Sequence, residues 1–285
     1  MMHPLFVIFF GFLATSHGYI LDPGCDRDPK IEALVVAGLN HAFDTANAAE
    51  EALNTRPWNR NDNGPLMDLA DWILKEDGSA QPNRMQIWPP ISPTVVSYPN
   101  DPRNRLDKAR DVFTLMLLNR HRTDRDQRQD FKVFCDVDRY KTSTRHVDKV
   151  WDSVLSLFSS DAHTTLCIDP TLMAWTQVKA FSESIGMALM RQQPDTLQIC
   201  PGFLKKAAKS KFPFSAPLVD LQTRNPIILG TTMDTYGNLM DTVLLHEMAH
   251  TNRAGDLDDV RANGGAYGWK NILTKTPADS IKNAA

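Results

Sequence analysis

The segment His246-Glu247-Met248-Ala249-His250 contains residue types that can bind a metal ion and move a proton. On an α-helix, His246 and His250 lie one turn apart on the same face, so both imidazoles can reach one Zn²⁺ at about 2.0–2.1 Å. Glu247 can then face an attacking water and act as general base. Residues 239–250 contain no Gly or Pro, which favours a helix here. The pattern predicts metal-assisted hydrolysis, and the alternative is a pair of surface histidines.

A third ligand is needed, because catalytic zinc sites have three protein ligands and one open position. No histidine follows His250, and no glutamate follows Glu247. A third ligand from the downstream chain must therefore be an aspartate. The candidates are Asp256, Asp258, Asp259 and Asp279.

These motifs resemble the deuterolysin and peptidyl-Lys metalloendopeptidase family, the aspzincins, best known as secreted fungal proteases. Members carry HExxH followed by GTxDxxYG, whose Asp is the third zinc ligand and whose Tyr stabilises the oxyanion. In compact members the Asp lies nine residues after the second His, which corresponds to Asp259 here, with Asp256 as the alternative. Ala266-Tyr267-Gly268-Trp269 resembles the YG element, although no GTxD precedes Asp259. The resemblance implies one Zn²⁺ per chain, with Glu247 and Tyr267 as catalytic residues.

The chain begins with a segment that is typical of export. Residues 4–14 form an apolar run that is shorter than the ~20 residues needed to span a bilayer. Small residues follow, and they predict a signal peptide at residues 1–18 with cleavage after Ser16 or Gly18. The four cysteines of the chain suggest two disulfides, for which three pairings are possible. We therefore expect a secreted, extracellular protein without a membrane span.

The rest of the chain mixes helical and strand-like patterns, which predicts an α+β fold. With the family resemblance, this becomes a mostly helical, zincin-like metalloprotease domain with a small sheet and an HExxH helix. We expect one domain over residues 19–285, of which 131–285 carry the metal site. The helical part at residues 19–130 is either integral or a pro- or accessory region. The three longest predicted helices lie at 31–53, 103–120 and 146–158, and the strands predicted in the middle of the chain lie at 131–137, 164–168 and 196–200.

The net charge of the chain bears on the class of partner that it binds. The formal net charge of -3 gives no reason to expect a nucleic-acid partner. We predict a monomeric, secreted, zinc-dependent metalloendopeptidase that acts on a protein or peptide substrate. The alternative is a catalytically inactive, secreted zinc-binding or interaction protein with a degenerate site.

Overall fold

A computed structural model describes residues 18–54, 64, 67–68, 105–122, 131–142, 149–154, 156–159, 165–177, 195–216, 236–251, 254, 257–259, 271 and 282. These residues form helices and two β-sheets. The helices are α1 (Pro23–Asp26), α2 (Pro29–Asn54), α3 (Arg105–Leu117), α4 (Pro201–Lys209) and α5 (Met240–Ala249). The strands are β1 (Gly18–Leu21), β2 (His121–Arg122), β3 (Phe131–Phe134), β4 (Tyr140–Thr142), β5 (Val150–Asp152), β6 (Leu157–Ser159), β7 (Ala174–Gln177) and β8 (Thr196–Ile199).

The larger sheet has five strands in the order β2-β1-β3-β8-β7. The first four are parallel to one another, and β7 runs antiparallel to β8 at the sheet edge. All four residues of β8 are buried, as expected for a central strand covered on both faces. The antiparallel register pairs Thr176 with Leu197, which leaves the other side of β7 at the edge of the described sheet.

Helices α2, α3 and α5 cover one face of this sheet and enclose the main hydrophobic core. Tyr19 of β1 stacks on Phe43 of α2 and on Phe131 of β3, with ring centroids 6.1 Å apart in each pair. Helix α2 meets α5 at Gly38, where an added Cβ would lie 2.8 Å from Met240 Cγ and 2.9 Å from Leu244 Cδ1. The two helix backbones approach this closely because residue 38 has no side chain.

The other face of the sheet carries β4, β5 and β6, which form an antiparallel three-stranded sheet. Arg139 joins the two sheets: its guanidinium lies 3.8 Å from the Phe134 ring centroid, and its Nε is 3.6 Å from Asp152 Oδ2. The predicted helix at 146–158 was wrong over its described residues, which form β5 and part of β6. Apolar residues there recur at helical spacing, but strand pairing and burial of Asp152 against Arg139 override that local pattern.

The strand predictions met mixed outcomes. The strands predicted at 131–137 and 196–200 correspond to β3 and β8. The strand predicted at 164–168 was wrong over its described residues, and the edge strand lies later, at Ala174–Gln177. Cys167 in this region has a φ of 53°, a left-handed backbone conformation that cannot continue a strand.

Two disulfides connect the elements: Cys25 with Cys135, and Cys167 with Cys200. The first ties α1 to the end of β3, and the second ties the segment before β7 to the end of β8. All four cysteines are paired, so none of them is available as a metal ligand. None of the described helices is both long enough and apolar enough to span a bilayer.

The part of the chain before residue 131 shares its core with the part that carries the predicted metal site. Strand β1 lies between β2 and β3, and α2 packs directly against α5. A single cluster of buried side chains includes Tyr19 and Phe43 from the first part and Leu197 and Leu244 from the second.

Candidate metal centre

The start of α5 is fixed by contacts with Pro213 and Ser215, which follow α4 in the chain. The backbone N–H of Met240 donates to the Pro213 carbonyl oxygen at 2.9 Å. The Asp241 side chain, only 2% exposed, accepts hydrogen bonds from the backbone N–H of Ser215 and from its hydroxyl. A carboxylate in the first turn also interacts favourably with the helix dipole. These contacts anchor the helix at the end opposite the predicted ligands.

Helix α5 ends at the second histidine. His250 caps the helix with right-handed α backbone geometry, and its N–H donates to the Glu247 carbonyl oxygen. The buried Thr251 then donates its hydroxyl to the Met248 carbonyl oxygen at 2.7 Å. The chain turns back, and the Leu257 N–H donates to the Ala249 carbonyl oxygen at 3.1 Å. This return brings Asp259 alongside the helix.

Three side-chain atoms converge at this point: His246 Nε2, His250 Nε2 and Asp259 Oδ1. The two nitrogens are 3.1 Å apart, and Asp259 Oδ1 lies 3.4 Å from each of them. The imidazole planes are at 89° to each other, so the nitrogens meet without ring stacking. Among the described residues, this is the group of His, Cys, Asp and Glu side chains whose geometry suits a metal ion.

The triangle has the size that a tetrahedral zinc site requires. With ligand bonds of about 2.0–2.1 Å, tetrahedral ligand atoms lie roughly 3.3–3.4 Å apart. A point about 2.0 Å from all three atoms therefore exists just above their plane. All three side chains remain partly accessible, with His246 16%, His250 15% and Asp259 24% exposed. The three residues fit a zinc ion that keeps one position open to solvent.

The backbone determines which nitrogen of His250 is available. His250 Nδ1 lies 2.5 Å from the Leu257 carbonyl oxygen, an acceptor that requires a proton on Nδ1. Nε2 can then offer its lone pair to a metal. Burial lowers the pKa of His250, but Asp259, Glu247 and the Leu257 carbonyl act in the opposite direction, and the net pKa is raised. A bound cation would compete with that proton, so the affinity for metal increases with pH.

Glu247 lies on the same helix and is 5% exposed. Burial raises the pKa of its carboxyl to about 7, although His250 and a hydrogen bond from Thr176 act to lower it. The Thr176 hydroxyl lies 2.9 Å from Glu247 Oε2 and 2.8 Å from the Glu247 carbonyl oxygen. Because the carboxyl sits beside the ligand triangle with a pKa near neutrality, it is suited to accept and release a proton.

The structure thus brings together four of the residues singled out in the sequence: His246, Glu247, His250 and Asp259. Asp258 is exposed, and its backbone N–H donates to the Lys282 carbonyl oxygen at 2.8 Å. Asp256 and Tyr267 lie outside the described residues. Thr176 was missed by sequence reasoning, since nothing in its neighbourhood indicates contact with a residue 71 positions later.

Comparison with known proteins identifies no relative of this chain. No family model, no curated protein and no solved structure matches the chain.

Proposed function

We propose that this chain is a secreted, zinc-dependent metalloendopeptidase of zincin-like fold. The observation that carries the proposal is the triangle of His246 Nε2, His250 Nε2 and Asp259 Oδ1, with sides of 3.1 to 3.4 Å. Zn²⁺ held there would supply a Lewis acid that polarises a carbonyl group and promotes ionisation of water. One ion per chain fits one triangle, and the resemblance to aspzincins supports the same three ligands.

Glu247 is the proposed general base. Its carboxyl accepts a proton from the attacking water and later delivers it to the amine that leaves the cleaved peptide bond. Burial raises the pKa of this carboxyl to about 7 in the metal-free chain, and a cation held beside it would lower that pKa and favour the carboxylate that accepts the proton. Burial also keeps bulk water away from the carboxyl, which strengthens its interaction with a developing positive charge. The resemblance adds Tyr267 as a donor to the oxyanion, a role that stays a prediction.

A peptide substrate fits the architecture around the site. Among the described strands, β7 is the outermost of the five-stranded sheet, and it packs against α5. An edge strand offers backbone N–H and C=O groups that an extended peptide can pair with. Thr176 of β7 contacts Glu247, so a peptide bound along this edge would pass close to the ligand triangle. This placement favours an endopeptidase that binds an extended chain.

The export features support a secreted enzyme. Two disulfides suit an oxidising compartment, and the apolar segment within residues 1–18 is predicted to be removed as a signal peptide. Strand β1 begins at Gly18, so cleavage after Ser16 would leave this strand whole.

The test is to express the full chain in a secreting host, purify the exported protein and measure zinc content and hydrolysis of an unfolded protein substrate. We expect one zinc per chain and peptidase activity that Glu247→Gln lowers by about 10³-fold or more without loss of zinc. Zinc binding without activity in the unmodified protein would favour the inactive, zinc-binding alternative. Absence of bound zinc, even after reconstitution, would refute both.

A further inference from the structure

The Thr176 hydroxyl contacts both the main chain and the side chain of Glu247. This hydroxyl lies 2.8 Å from the main-chain carbonyl oxygen of Glu247 and 2.9 Å from the side-chain oxygen Oε2. The single hydroxyl proton is either shared between the two oxygens or donated to the carbonyl oxygen while a protonated carboxyl donates to Oγ1. In both arrangements one hydroxyl group restrains the carboxyl relative to its own backbone, and with it the side-chain torsions between them. A glutamate side chain has considerable rotamer freedom, which costs free energy to restrict at the moment of reaction.

Strand β7, which carries Thr176, is also packed on the face that points away from α5. Residues alternate across a strand, so the neighbouring Trp175 points away from α5. The Trp175 ring stacks with Tyr140 at 6.0 Å, and the Arg139 guanidinium lies 5.9 Å from its centroid. Pairing with Leu197 of β8 fixes the register. The Thr176 hydroxyl is thus presented by a strand that is packed on one face and hydrogen-bonded to its neighbour.

We propose that Thr176 is the positioning residue for the general base, and that its hydroxyl holds the Glu247 carboxyl in the orientation required for proton transfer. This inference rests on the proposed peptidase function. A misplaced catalytic group can cost about 100-fold in rate even when binding is unchanged. The competing explanation is that the Thr176 hydroxyl only joins β7 to α5 through the Glu247 carbonyl oxygen.

The two explanations are separated by a set of matched variants of the full chain. Thr176→Val removes the hydroxyl and keeps the shape, whereas Thr176→Ser keeps the hydroxyl. Thr242→Val is the control, because the Thr242 hydroxyl also donates to a backbone carbonyl oxygen, that of Tyr236, at the other end of α5. Zinc content and near-ultraviolet circular dichroism of each variant verify that the site and the fold are retained.

We expect Thr176→Val to lower kcat by about 10- to 100-fold with little change in KM, because only the transition state requires the aligned carboxyl. Thr176→Ser should recover most of that loss, and Thr242→Val should behave as the unmodified protein. Equal kcat in the unmodified protein and Thr176→Val, or no recovery with serine, would overturn the positioning role. Lack of Glu247-dependent activity in the unmodified protein would instead refute the peptidase function, and this inference with it.

A second measurement does not depend on turnover. In metal-free protein labelled with ¹³C at the glutamate carboxyls, the Glu247 resonance is identified by its absence from Glu247→Gln. We expect this resonance to shift in Thr176→Val and to stay in place in Thr176→Ser and Thr242→Val. An unchanged resonance in Thr176→Val would show that the hydroxyl does not hold the carboxyl.

Discussion

His246 Nε2 lies 3.1 Å from His250 Nε2, although the two residues are separated by a full turn of α5. Two imidazole nitrogens at this distance share either a proton or a cation, because two facing lone pairs would repel each other. Asp259 Oδ1 lies 3.4 Å from both nitrogens and adds a negative charge that favours the cation. The consequences of this triangle can be measured.

The identity of the third ligand can be tested by comparing neighbouring aspartates. We expect Asp259→Ala to weaken zinc binding by about 100-fold or more, since it removes one of three ligands. Asp258→Ala is the matched control, because this exposed residue is adjacent in sequence and has the same charge. Competition with a chromogenic chelator gives the affinities, and Asp256→Ala tests the alternative ligand. A larger loss in Asp256→Ala than in Asp259→Ala would reassign the site.

The stability of the metal-free chain should decrease as the pH rises. The carboxyl of Glu247 has an ordinary pKa of 4.5 and a pKa of about 7 in the folded protein, so the folded state retains a proton that the unfolded state has lost. This stabilising contribution is fully present below pH 4.5 and is lost as the pH rises through about 7. The raised pKa of His250 acts in the same direction, above its ordinary value of 6.5.

Urea unfolding with a chelator present, between about pH 5 and pH 8, measures this dependence. We expect the Glu247 part of the loss to be on the order of 3 kcal/mol at most, and Glu247→Gln to remove it. Added zinc should stabilise the protein increasingly as the pH rises, because the ligands must be deprotonated. The same pH slope in the unmodified protein and in Glu247→Gln would contradict the assignment.

The close approach of α2 and α5 predicts opposite effects for two glycine substitutions. Gly38→Ala places a methyl group within 3 Å of Met240 and Leu244, and we expect a net loss of about 1–2 kcal/mol after the gain in helix propensity. Gly202→Ala, in α4, meets no atom within 4 Å and should stabilise by up to about 1 kcal/mol. Urea denaturation gives both values. Equal effects at the two positions would refute the tight contact.

The disulfide pairing can be checked by mapping peptides from the unreduced protein. We expect Cys25 to be linked to Cys135 and Cys167 to Cys200, with no free thiol. Replacing Cys167 and Cys200 with alanine should lower the free energy of unfolding by about 4 kcal/mol, from the entropy of a 33-residue closure. Linkage of Cys25 to either Cys167 or Cys200 would contradict the arrangement of α1 beside β3.

Sequence reasoning worked best where the chemistry is local. His246 and His250 are four residues apart, so they can bind one metal ion together only if the segment is helical. The apolar residues around them favour a helix. Asp259 was selected by resemblance to a family spacing, because nothing local separates it from Asp256 or Asp258. Asp259 is positioned because the chain turns back after the helix, and hydrogen bonds of Leu257 with Ala249 and His250 hold that turn in place.

The parts that sequence reasoning missed depend on distant contacts. Strand β7 has only four residues, and its identity comes from pairing with β8 rather than from its own composition. The segment at 150–159 carries apolar residues at helical spacing, yet it forms a hairpin because Asp152 is buried against Arg139. The contact of Thr176 with Glu247 can be predicted only when the positions of β7 and α5 relative to each other are known.

The position of β1 has a consequence for maturation. Many secreted proteases are held latent by a segment that is later discarded, and residues 19–130 were one candidate for such a segment. Discarding them would remove β1 and β2 from one side of β3, the helix that packs on α5, and one partner of the Cys25–Cys135 bond. We therefore expect removal of residues 19–130 to disrupt the fold and the metal centre rather than to release a latent peptidase.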